Sequence, residues 1–84
     1  MDRAELTSEL KRMIVEECER DIDPQQIDDD EQLIGTGGRL ELDSLDALQI
    51  ALAVKQRYGK RIDGNNKTRA ALQSVNTLAD FIQA

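Results

Sequence analysis

A serine hydroxyl and two carboxylates stand within four residues in the run Asp43-Ser44-Leu45-Asp46, where a glycine-bearing loop gives way to a strongly apolar helical pattern. A hydroxyl at the head of a helix has two uses. It can accept a hydrogen bond from an orphan amide of the first turn, a contribution of about 1 kcal/mol for a typical cap, and Asp43 is an equally good candidate for that task. The same geometry suits a phosphate ester, which would sit among unpaired N–H groups at the positive end of the helix dipole. Asp43 and Asp46 would then flank the modified oxygen and engage a basic partner. These groups alone do not make a catalyst. The chain has no histidine and one cysteine, Cys18. No Ser-His-Asp or Cys-His nucleophile can be assembled from it, and neither an internal disulfide nor a multi-cysteine metal cluster is available. Any reaction at Ser44 must draw its reactive group from elsewhere.

The elements that position this run can be read from periodicity. Leu6, Leu10, Met13, Ile14 and Cys18 recur at helical spacing, which predicts an amphipathic first helix, with Asp2 and Glu5 as a capping arrangement and Pro24 enforcing an end by about Asp23. Cys18 lies on the apolar stripe and reads as a small buried hydrophobe. Residues 22–43 follow no sustained period, yet Ile22, Ile27, Leu33, Ile34, Leu40 and Leu42 predict a long ordered loop pinned to a core, with a helical turn. Its acidic run, residues 28–31, lacks the glycine and glutamate register of a calcium loop and reads as solvated charge. From Leu45 a second helix is expected to bury Leu45, Leu48, Ile50, Leu52, Val54 and Tyr58 over roughly 220° of its circumference. Asp46, Gln49, Gln56 and Arg57 form the polar strip, and Gly59 ends the helix in a left-handed conformation. A turn at Asp63-Gly64-Asn65-Asn66, with Ile62 as a buried anchor beside it, a short helix over Thr68 to Gln73, and a final helix through Val75, Leu78, Phe81 and Ile82 capped by Ser74 or Asn76 complete the reading. The expected fold is all-α: a single domain over 1–84, a small four-helix bundle of three longer helices and one short one.

Composition narrows the function classes. Residues 1–46 hold fifteen acidic and five basic groups, and residues 47–84 hold two and six. With a net charge of −6, no Trp and 2% aromatics, the chain lacks both the charge and the stacking platforms of a nucleic-acid binder. No stretch approaches the roughly 20 apolar residues of a membrane span. The segment MDRAELTSEL has acidic residues and no apolar run, so it is read as neither a secretory signal nor a transit peptide, and a cytoplasmic location is expected.

The run LDSLDALQIALAVKQRYG, with an amphipathic helix before it and SVNTLADFI after it, resembles the acyl carrier protein family of phosphopantetheine-binding domains. The likeness extends over nearly the whole chain in length, helix order, long first loop and Asp-Ser-Leu at the head of the second helix. By that resemblance Ser44 receives 4′-phosphopantetheine from coenzyme A through a separate magnesium-dependent phosphopantetheinyl transferase, and Asp43, Leu45, Asp46 and Glu41 take part in partner recognition. The resemblance implies a monomeric, non-catalytic carrier of acyl thioesters, served by acyl-loading and acyl-processing enzymes such as a ketosynthase, acyltransferase or ligase of fatty-acid, polyketide or related lipid biosynthesis. Small Ala47, Ala51 and Ala53 would let a cargo chain slip between the helices. Two departures mark a specialised member: Glu41 stands where many of the family have glycine, and Lys55, Arg57, Lys60, Arg61, Lys67 and Arg69 occupy a half that is acidic in bacterial fatty-acid carriers. The alternatives are an aminoacyl or peptidyl carrier, and a helical protein-interaction module in which Ser44 is only a cap.

Overall fold

The computed structural model describes residues 2–62 and 70–84. Its first helix, α1 (Arg3–Glu17), starts where the Asp2 carboxylate accepts a 2.8 Å hydrogen bond from the Glu5 N–H. Leu6, Leu10, Met13 and Ile14 recur on one side of α1 and are buried, so the sequence period becomes the core face. The helix closes at Cys18, whose N–H returns to the Ile14 carbonyl at 3.0 Å, and Glu19 follows in left-handed backbone with φ of 53°. A single 3-10 turn spans Pro24–Gln26, with the Asp23 carboxylate as its cap. Helix α2 (Ser44–Tyr58) ends on Gly59 at φ 70°, whose N–H meets the Lys55 carbonyl at 3.0 Å. Helix α3 (Val75–Gln83) opens on a reciprocal box in which Ser74 and Thr77 each bond the other's backbone N–H.

Three helices are therefore established, and no strand occurs among the described residues. Of the short helix expected over Thr68 to Gln73, Thr68 and Arg69 lie outside the described residues, Ala70 and Ala71 are helical, and Leu72 and Gln73 already follow as turn and bend. The expected turn at Asp63-Gly64-Asn65-Asn66 lies outside them altogether. No helix among the described residues is long and apolar enough to cross a membrane.

Helix α1 packs against α2, α3 and the 3-10 turn. Ile50 and Val54 of α2 meet Leu10, Met13 and Ile14 of α1 and Val75 and Leu78 of α3 in one fully buried cluster. Each such side chain contributes about 1.5–3 kcal/mol by leaving water. The long loop is part of this core: Ile27, Leu33, Leu40 and Leu42 are buried, as their spacing along an aperiodic segment required. Its backbone is tied down at both ends. The Leu33 N–H reaches the Gln73 carbonyl and the Asn76 N–H reaches the Asp29 carbonyl, each at 2.9 Å, while Ile34 and Leu42 form an isolated parallel bridge that returns the chain toward α2.

Two expectations need correction. The acidic run is not simply solvated: Asp29 pairs with Lys11 at 2.6 Å, Asp30 accepts from the Asn76 amide at 2.6 Å, and Glu31 accepts from the N–H groups of Asp28 and Arg39, each at 2.8 Å. These charges organise the loop, because its backbone amides have no helix or sheet to satisfy them. The second correction is on α2, which buries Ile50, Ala53 and Val54 but leaves Leu45, Leu48 and Leu52 exposed. One helix face of about 100° suffices to meet the core, and the remaining apolar arc faces outward.

Candidate functional site

Which residue caps α2 decides what is left for Ser44. Asp43 is the cap: its Oδ1 accepts from the Asp46 N–H at 2.9 Å, and Asp46 Oδ2 accepts in return from the Asp43 N–H at 3.1 Å. Asp46 thus takes the part that glutamate or glutamine plays in the usual box. Ser44 is the first residue of the helix itself; it is exposed, and among the described residues its hydroxyl has no hydrogen-bond partner. The carboxyl of Asp43 is held below the usual carboxylate range, first by the backbone N–H of Asp46 and then, against the opposing effect of burial, by the N–H of Leu45. Negative charge therefore stands beside the free hydroxyl at neutral pH.

The turn that carries Ser44 is fastened to the end of α1. Arg20 donates to Asp46 Oδ2 at 2.6 Å, and the Asp46 side chain is only 17% exposed. Beneath this pair Cys18 is buried, its thiol 3.9 Å from the Asp46 carbonyl. Of the four residues expected to recognise partners, the structure places Asp46 in an internal ion pair, Asp43 in the cap, and Leu45 and Glu41 on the surface. Arg20→Ala is expected to destabilise the fold by about 1–2 kcal/mol, more than a fully exposed pair, because the largely covered Asp46 side chain would lose the guanidinium that faces it. Urea denaturation measures this, and a midpoint equal to wild type would refute it.

Glu41 adopts φ of 47°. A side chain in left-handed backbone costs about 1–2 kcal/mol, partly offset by the flexibility that glycine would bring to the unfolded chain. Glu41→Gly is accordingly expected to raise stability by about 0.5–1 kcal/mol, read as an upward shift of the melting temperature. The position where many of the resembled family have glycine thus takes left-handed backbone here with a glutamate.

A cleft of about 700 Å³ opens beside Ser44, lined by Ile34, Ala47 and Leu72 together with Ser74 and Thr77 at the head of α3. Of the three small residues that sequence reasoning singled out on this helix, only Ala47 lines it; Ala53 is in the core and Ala51 is half-buried. Sequence reasoning missed Arg20, for which no local signal exists across the 26 residues to Asp46. It also missed the exposed leucine arc, although an apolar spread wider than one face was the available sign.

The sulfur chemistry of the chain itself is quiet. Burial, followed by the negative charge of Asp46, pushes the Cys18 thiol up to about 11 from an ordinary 9.0. Tyr58 shifts upward too, chiefly by burial and then by donating to Glu9. Both groups are neutral when folded, so the contribution of Cys18 to stability is complete below about pH 9 and is lost as pH rises past it toward 11, while that of Tyr58 begins to be lost only above its ordinary 10.0. Thermal melts between pH 8 and 11 are expected to show that decline, and a flat profile would contradict it.

A scan against protein-family models finds no match to this chain, and a search of curated proteins finds none either.

Proposed function

We propose that the chain is a carrier: a non-catalytic domain that holds acyl intermediates on a 4′-phosphopantetheine arm at Ser44 and presents them to separate enzymes. The observation that supports this reading most is the division of labour at the head of α2. Asp43 does the capping, so Ser44 is left exposed with a hydroxyl that nothing among the described residues engages. In an interaction module where Ser44 served only as a cap, its oxygen would hold a first-turn amide, as Ser74 does on α3. A small four-helix bundle, completed by a short helix over 68–73, is the architecture this reading expects.

The residues present fit the arm. Loading requires the Ser44 oxygen to form a bond to the phosphorus of coenzyme A that bears the pantetheine, while the bond from that phosphorus to the departing adenosine bisphosphate breaks and the serine proton leaves. Asp43 fixes the backbone so that this oxygen projects from the first turn. Arg20 holds Asp46, and through it the turn, against α1. The helix dipole lowers the cost of a phosphodiester at that point. When attached, the arm supplies the thiol that the polypeptide lacks and on which an acyl group is held. The open cleft lined by Ser44 and Ala47 offers room for part of the arm or a short cargo. Cys18 cannot compete for acyl groups, because its sulfur is buried and protonated at neutral pH.

A thiol count tests the reading. After incubation with coenzyme A and a broad-specificity transferase, the folded protein is expected to show one rapidly alkylated thiol at pH 7.5, where the untreated protein shows none. Untreated protein that alkylates quickly, or treated protein that gains no thiol, would contradict it. An aminoacyl or peptidyl cargo is compatible with the same arm, and partner enzymes choose between them.

A further inference from the structure

Backbone strain gathers at one junction of the fold. Among the described residues, Glu19 and Glu41 are the two residues other than glycine in left-handed backbone, at φ of 53° and 47°. The first stands one residue before Arg20, the second two residues before Asp43. At Glu19, α1 closes in a turn in which the Glu19 N–H meets the Glu16 carbonyl at 3.3 Å and the Arg20 N–H meets the Val15 carbonyl at 3.0 Å, a pattern that usually places glycine where Glu19 is. The next residue, Arg20, is the one that meets Asp46. A third cost lies here as well, because the Arg20 Nε–H is buried and finds no acceptor among the described residues. Joining α1 to α2 requires none of this: Arg57 reaches Glu16 and Glu17 from within regular helix. Such costs persist where the surrounding structure over-determines a geometry, and they cluster at functional sites.

The geometry held here is the frame of Ser44. Asp46 Oδ2 accepts from two donors, the Asp43 N–H at 3.1 Å and Arg20 at 2.6 Å. One oxygen thus closes the box at the head of α2 and ties that box to the end of α1, and Ser44 lies between the two boxed residues. No partner among the described residues holds the Ser44 hydroxyl, so the backbone alone aims it. We infer that Arg20 is a positioning residue for loading at Ser44, acting through Asp46 and not on the hydroxyl itself. Without it the Asp46 carboxylate turns toward solvent, the box half-opens, and the oxygen that must lie in line with the group departing from phosphorus is scattered in direction. The inference deepens the carrier reading and rests on it for the reaction concerned.

Loading kinetics with coenzyme A and a broad-specificity transferase test it, run beside backbone 15N order parameters of the unloaded protein. In Arg20→Gln the rate at saturating carrier is expected to fall on the order of 10-fold with the carrier KM changed by less than about 2-fold. Arg20→Lys, which keeps one charged donor, is expected to recover to within about 3-fold of wild type. Gly59→Ala weakens the fold at the other end of α2 without touching the clamp, and is expected to load at the wild-type rate. Order parameters in Arg20→Gln are expected to fall over residues 44–47 and to hold over 50–54. An unchanged rate in Arg20→Gln, a loss confined to KM, equal slowing in Gly59→Ala, or unaltered order parameters over residues 44–47 would overturn the inference. The two ideas fail separately. Wild-type protein that does not load sinks the carrier reading, while the order parameters still report whether Arg20 holds the turn; full-rate loading of Arg20→Gln sinks only the positioning role.

Discussion

Gly38→Ala is expected to destabilise the protein by about 2–4 kcal/mol, a large share of what an 84-residue domain possesses. A Cβ at this position would lie 2.0 Å from the backbone carbonyl oxygen of Gln32 and 3.0 Å from a carboxylate oxygen of Glu31. The first atom is main chain and cannot swing aside. Glu31 is itself bonded to the N–H groups of Asp28 and Arg39, so the second is also held. Relief would require the loop to open at the point where the Leu42 N–H donates to the Leu33 carbonyl, pulling two buried leucines with it. Gly59 provides the contrast. Nothing lies within 4 Å of its Cβ position, but its φ of 70° is unfavourable for any side chain, so Gly59→Ala should cost only about 1 kcal/mol. Urea denaturation of both variants measures the difference. Near-equal midpoints would show that the close approach at Gly38 does not govern the loop.

The second large effect concerns function. Ser44→Ala is expected to abolish loading by coenzyme A and transferase while changing stability by less than about 0.5 kcal/mol. Alanine is a good helix former at an exposed first-turn position, and no hydrogen bond among the described residues is lost. If Ser44 were the cap, the same substitution would melt the helix head and lower the stability by about 1 kcal/mol. The variant therefore separates the two readings by two signals. Asp43→Ala should behave in the opposite way, loosening the start of α2 while retaining the hydroxyl, so that loading slows without vanishing.

Much of this could be read before any coordinates. The helical period of α1, the glycine that ends α2 and the serine that opens α3 are local signals, each tied to backbone geometry within a few residues. The buried residues of the long loop were legible because apolar side chains in an aperiodic segment have few places to go but the core. What was not legible depended on distance or on choice between equals. Asp43 and Ser44 are both good caps, and only the geometry of one turn assigns the task to Asp43. The acidic run resembles solvent-facing charge until Lys11, Asn76 and the amide of Arg39 arrive from elsewhere in the chain. The leucines of α2 were assigned to the core because periodicity counts apolar residues without knowing how much of a helix its neighbours cover.

The central claim is that one oxygen, Ser44 Oγ, is the site of attachment, and peptide-level mass mapping tests it most directly. Wild-type protein treated with coenzyme A and a broad-specificity phosphopantetheinyl transferase is expected to have a single added arm, located on the fragment containing Ser44. An unmodified chain under conditions that load a control carrier, or an arm found at Ser8 or Ser74 instead, would contradict the account.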